Sequence, residues 1–85
     1  MDALTDLAHQ LVAKHGVDRY PTVNDSLHKL HEEVGEVTRA FLRGEDLAPE
    51  LADVEISLRL LAHKAGVDLD AAVYQKVASD DRTFA

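Results

Sequence analysis

Leu27-His28-Lys29-Leu30-His31-Glu32-Glu33-Val34-Gly35-Glu36-Val37-Thr38-Arg39-Ala40-Phe41 is the stretch that decides the fold. Leu27, Leu30, Val34, Val37 and Phe41 recur within it at intervals of 3, 4, 3 and 4 residues, the signature of a helix with one apolar stripe. The pattern predicts a helix from about Val23 to Arg43. Thr22 stands at its start as an N-cap, with Asp25 three residues on as a weaker form of the capping box. Gly44 ends it. Asp46 or Ala48 then opens a second helix, and Pro49 suits its first turn. Leu51, Val54, Leu58, Leu61 and Ala65 repeat the same rhythm up to Gly66. Two such stripes joined by a short turn predict an antiparallel helical hairpin.

Two more helices flank this pair. Leu4, Leu7, Ala8 and Leu11 predict one from about Ala3 to Lys14, with Gly16 as its stop. Val17 to Val23, with Pro21, reads as a loop. Asp68 caps a last helix from about Leu69 to Ala78, and Ser79 to Ala85 reads as an irregular tail. No strand alternation or internal repeat competes with this. The expectation is an all-α chain of four helices, a single domain over residues 1–85.

A chain of 85 residues buries a modest share of its surface, so assembly is an expected source of stability. The second helix of the hairpin points the same way. At about 100° per residue, Ile56 and Leu60 fall away from the Leu51–Leu61 face, and a helix apolar on two sides needs two partners. One of these is expected to be another subunit, giving a dimer or tetramer.

The formal net charge of −7 repels a nucleic-acid polymer, and it repels a free nucleotide unless a cation bridges the two. There is no cysteine, which fits a reducing compartment. Met1 to Asp6 lack the basic and apolar parts of a signal peptide, and no apolar run approaches the roughly 20 residues of a membrane span. A cytoplasmic protein with no membrane partner is the expectation.

The charge is concentrated in two clusters, Glu32-Glu33-Val34-Gly35-Glu36 and Glu50-Leu51-Ala52-Asp53, separated by 13 residues. Glu32 and Glu36 are one helical turn apart, and Glu33 and Glu36 are also surface neighbours, as are Glu50 and Asp53. Like charges at these spacings repel, and a cation removes the penalty. Oxygen ligands in this number suit Mg²⁺ or Mn²⁺, and bound Mg²⁺ commonly recruits phosphate. The competing reading is a solvated acidic face, since Glu32 and Glu36 lie far from the Leu27–Phe41 stripe. Asp53 resists that reading. It shares a side of its helix with Leu60, which predicts partial burial, and a buried carboxylate needs a partner. Lys76 falls among Leu69, Ala72 and Val73 on the face of the last helix expected to point inward. It is either a lysine whose stem packs while its amine reaches water or a phosphate ligand. His15 reads as a packed or helix-terminal side chain, and His28, His31 and His63 form no zinc pattern.

These residues resemble the MazG-like, all-α nucleoside triphosphate pyrophosphohydrolases. That family's pattern, EExxE followed after a gap by ExxD, is met by Glu32, Glu33, Glu36, Glu50 and Asp53. Leu30 to Val37, Glu50 to Val54, and Ala65 to Val73 followed by Lys76 are similar to the family's helix cores and following turn. The resemblance covers about residues 22–82. It departs where related sequences place an asparagine four residues after the lysine and then an arginine. This chain has Asp80 there, and its nearest arginine is Arg82.

The resemblance implies a four-helix bundle completed by oligomerisation, with sites close to subunit interfaces. It implies hydrolysis of a nucleoside or deoxynucleoside triphosphate to monophosphate and pyrophosphate. Glu33, Glu36, Glu50 and Asp53 would hold Mg²⁺ (or Mn²⁺), Glu32 would orient or deprotonate the attacking water, and Lys76 and Arg82 would contact phosphate oxygens. Two alternatives stand beside this. A phosphoribosyl-ATP pyrophosphatase of the same superfamily ranks lower, because no adjacent basic pair precedes the acidic motif and Lys29 stands alone. A non-catalytic helical interaction module is the other, and the complete acidic set argues against it.

Overall fold

The computed structural model describes residues 3, 6, 7, 10 and 22–79. Three helices occupy 22–79: α1 (Val23–Leu42), α2 (Ala48–Lys64) and α3 (Leu69–Ser79). Ala3, Asp6, Leu7 and Gln10 also have helical backbone, inside the helix expected over residues 3–14. The rest of that helix, His15, most of the loop before Thr22, and the tail with Asp80 and Arg82 lie outside the described residues. Among the described residues there is no strand, so the chain is all-helical there.

The ends of the helices follow from local chemistry. Thr22 is extended (φ −116°, ψ 163°), and its hydroxyl accepts from the Asp25 N–H at 3.1 Å. Asp25 Oδ2 accepts in return from the Thr22 N–H at 3.3 Å, so two otherwise unpaired donors are satisfied. At the other end Gly44 turns left-handed (φ 69°). Its N–H donates to Phe41 at 3.1 Å, and Glu45 N–H donates to Ala40 at 2.9 Å. This is a Schellman closure, and only glycine enters it without strain. Gly66 (φ 71°) closes α2 the same way, through Val67 to Ala62 at 2.8 Å. Asp46 Oδ1 accepts from Ala48 N–H ahead of α2, and Asp68 Oδ1 from Ala71 N–H at the start of α3.

α1 packs against α2, α2 meets α3 more slightly, and α1 and α3 do not pack. The face α1 presents to α2 differs from the expected one. Its buried residues are Ser26, Glu33 and Ala40, each seven apart and so on one line of the helix. Leu30 and Val37 flank that line half-buried, while Leu27, Val34 and Phe41 are exposed, Phe41 by 69 %. The leucine–valine stripe is thus turned by roughly a quarter turn, with its outer edge facing away from α2. Small residues explain the choice: Ser26 and Ala40 on α1 and Ser57 on α2 let the backbones approach more closely than leucines would.

α2 differs in a related way. Leu60, expected to serve a second interface, is buried within the chain, and Ile56 is half-buried. Leu51 is exposed instead. The buried apolar set among the described residues is Ala40, Leu60 and Ala62, a small core. α3 is exposed along its length apart from a half-buried Leu69. Arg59 ties it down: its guanidinium, only 14 % exposed, donates to Glu55 at 2.7 Å and to Asp70 at 3.1 Å.

Candidate metal centre

The α1–α2 packing carries the acidic residues of two separate sequence clusters to one place. A carboxylate oxygen of Glu33, one of Glu50 and one of Asp53 all lie within 4.8 Å of one another. Glu33 comes from the middle of α1, on the line that faces α2. Glu50 and Asp53 sit one turn apart at the start of α2 and point the same way. Glu33 is buried, Glu50 half-buried and Asp53 exposed, so the trio spans from the helix interface to solvent. The burial expected at Asp53 therefore falls on Glu33 instead. The seven-residue line Ser26–Glu33–Ala40 is the signal in the sequence that marks Glu33 as the inward carboxylate.

The donor set fits a hard divalent cation. Mg²⁺ binds oxygen at about 2.1 Å, so ligands on opposite sides of one ion stand about 4.2 Å apart. Three carboxylate oxygens within 4.8 Å are near that scale before any ion draws them in. All three are hard, anionic oxygens, the chemistry that Mg²⁺ and Mn²⁺ select.

The electrostatics favour a cation as well. Partial burial, followed by repulsion from Asp53, Glu36, Glu33 and Glu45, raises the Glu50 pKa above its ordinary value. Negative charge is in excess there. Among the described residues, Lys29 and Arg39 offset part of it. Lys29 Nζ lies 2.7 Å from Glu33 Oε1 and 3.8 Å from Glu32 Oε2. Arg39 Nη1 lies 2.6 Å from Glu36 Oε1.

The remaining site candidates take different positions. Glu36 is half-buried and close enough to act on Glu50 electrostatically, but it stands outside the trio, its carboxylate turned to Arg39. Glu32 has a side chain 70 % exposed, at the solvent side of the cluster. Lys76 is exposed on α3, a helix that packs lightly on α2 and not on α1. Arg82 lies outside the described residues. Lys29, which contacts Glu33, has no role in the expected metal and phosphate set. Its place one turn ahead of Glu33 is the feature that could have found it.

No described helix is long and apolar enough to cross a membrane. Compared with family models, with curated proteins and with solved structures, the chain matches none, so its site stands on its own geometry.

Proposed function

We propose that this chain is a metal-dependent hydrolase that converts a nucleoside or deoxynucleoside triphosphate to the monophosphate and pyrophosphate. The observation that carries the reading is the convergence of Glu33, Glu50 and Asp53 from two helices, within 4.8 Å, in a chain whose net charge would otherwise repel a nucleotide. The resemblance of the EExxE and ExxD segments to MazG-like pyrophosphohydrolases supplies the substrate class. In this reading α1 and α2 form the antiparallel hairpin of a four-helix bundle, completed by a second copy of the chain.

Glu33, Glu50 and Asp53 would hold Mg²⁺ (or Mn²⁺), with Glu36 as a further ligand if its carboxylate turned from Arg39. When bound, the ion neutralises phosphate charge and acidifies water. Glu32, at the exposed side of the cluster, accepts a proton from the attacking water. That water adds to the α-phosphorus, the bridging bond to the β-phosphate breaks, and pyrophosphate leaves. Lys76 and Arg82 supply positive charge to phosphate oxygens, Lys76 from a neighbouring copy, since α3 does not reach α1 in its own chain.

A second reading has its own support. The ion pairs Lys29–Glu33 and Arg39–Glu36 neutralise part of the cluster without a metal, as in a helical interaction module with no chemistry. Pyrophosphate release from a panel of triphosphates, with Mg²⁺ and with chelator, separates the two. The hydrolase reading expects Mg²⁺-dependent release that Asp53→Asn lowers by about 100-fold or more, the scale of losing a group that stabilises developing charge. Asp53 is exposed, so the fold survives that change. Release at the wild-type rate in the Asn variant would rule the site out.

A further inference from the structure

We infer that Lys29 is the site's built-in counter-cation, and that a divalent ion binds by exchanging with it. The inference deepens the metal reading of Glu33, Glu50 and Asp53 and rests on it. Glu33 is the buried carboxylate among the described residues, 8 % exposed, and it faces two more carboxylates on α2. A buried anion in that position needs a positive partner. Lys29 Nζ supplies one at 2.7 Å. The pairing is not explained by helix stability alone. A lysine four residues before a glutamate is the weaker of the two orders for an isolated helix, because it opposes the helix dipole.

Lys29 and a divalent ion would do the same electrostatic work on the same carboxylate. Held together they repel, so metal entry drives the ammonium away. Lys29 can leave. Its side chain is 31 % exposed and sits on a flexible four-carbon stem, so the amine has a path to water. Solvent on the exposed side of α1 receives the displaced amine. Lysine in this place keeps the metal-free protein folded and at the same time lowers its affinity for the metal.

The test is calorimetric titration of the intact protein with Mn²⁺ in the absence of nucleotide, together with melting temperatures with and without Mn²⁺. Lys29→Met is expected to bind Mn²⁺ about tenfold more tightly, the order of removing one unit charge about 5 Å from a divalent ion in largely aqueous surroundings. The same variant melts lower than wild type without Mn²⁺ and recovers when Mn²⁺ is added. Lys29→Arg keeps the charge and stays close to wild type. Lys29→Gln takes the place of the Met variant if that one does not fold. A merely structural lysine lowers the melting temperature with and without Mn²⁺ and leaves affinity unchanged, and that outcome overturns the inference. So does weaker Mn²⁺ binding in Lys29→Met. Asp53→Asn separates this failure from that of the metal reading. If wild type binds no Mn²⁺, or binds it undiminished in the Asn variant, the metal reading falls and the exchange with it. If Asp53→Asn abolishes binding while Lys29→Met leaves it unchanged, only the role of Lys29 falls.

Discussion

Glu33→Gln separates a metal ligand from a structural ion pair, because the structure predicts opposite effects on two measurements. The substitution keeps the side chain's shape and removes its charge. Without metal, Glu33 is attracted by Lys29 at 2.7 Å and repelled by Glu50 and Asp53 within 4.8 Å. In water-like surroundings the attraction is about 1.5 kcal/mol and each repulsion about 0.9 kcal/mol. One attraction against two repulsions leaves a difference of a few tenths of a kcal/mol, and a lower dielectric scales both sides together. The neutral amide also needs less desolvation than the carboxylate it replaces. The metal-free Gln variant should therefore unfold within about 1 kcal/mol of wild type, read from urea denaturation at neutral pH. Metal binding should respond quite differently, since the buried anionic ligand of the site is lost. Mn²⁺ affinity should fall by about 30-fold or more, which at 1.4 kcal/mol per tenfold is about 2 kcal/mol. Calorimetric titration measures it. A Gln variant that is destabilised by about 3 kcal/mol, yet binds Mn²⁺ as wild type does, would refute the reasoning. Glu33 would then belong to a buried ion pair whose loss strands Lys29.

Three more expectations follow from the same geometry. The raised Glu50 pKa makes the folded state hold its proton more tightly than the unfolded chain, so Glu50's contribution is fully present below about pH 4.5 and is lost as pH rises through the raised value. Melting temperature against pH should show this decline in metal-free wild type and lose it in Glu50→Gln, and a Gln variant with the wild-type profile would remove Glu50 as its source. The exposed edge formed by Leu27, Val34 and Phe41 is the surface on which a second copy is expected to sit, so sedimentation should give at least a dimer at micromolar concentration and Val34→Glu/Phe41→Glu should shift it towards monomer. A folded, active wild-type monomer of 9.3 kDa would refute the assembly. Lys76→Met should leave the melting temperature unchanged, since the residue is exposed, and lower kcat/KM by roughly 10- to 1000-fold, the scale of losing one charge-stabilising donor. An unimpaired variant would take Lys76 out of the site.

The sequence by itself determined where the described helices begin and end, and which residue types stand in the site. Thr22 and Asp25 form the expected capping box, Gly44 and Gly66 stop their helices as expected, and Asp68 caps α3. These features are local. They depend on a few consecutive residues and on backbone groups that must find partners wherever the helix goes. The pairing of Glu33 on one helix with Glu50 and Asp53 on the next was also legible, because a short connection between two amphipathic helices leaves few ways to pack them.

Only the tertiary structure decided which face of each helix met its neighbour. The leucine–valine stripe of α1 was the natural candidate for the core, yet α1 buries the small residues Ser26 and Ala40 with Glu33 between them, and Phe41 lies exposed. Periodicity fixes the width and direction of an apolar stripe. It does not fix the rotation of one helix against another, which depends on how nearly the two backbones can approach. That rotation buried Glu33, with its same-helix partner Lys29, rather than Asp53, and put Leu60 rather than Leu51 in the core. The exposure of Lys76, where an inward face was expected, has a related reason. Its spacing on α3 says which residues share its side, but not whether α3 lies along the other helices, and in this chain α3 is fastened to α2 near its start and packs against nothing on α1.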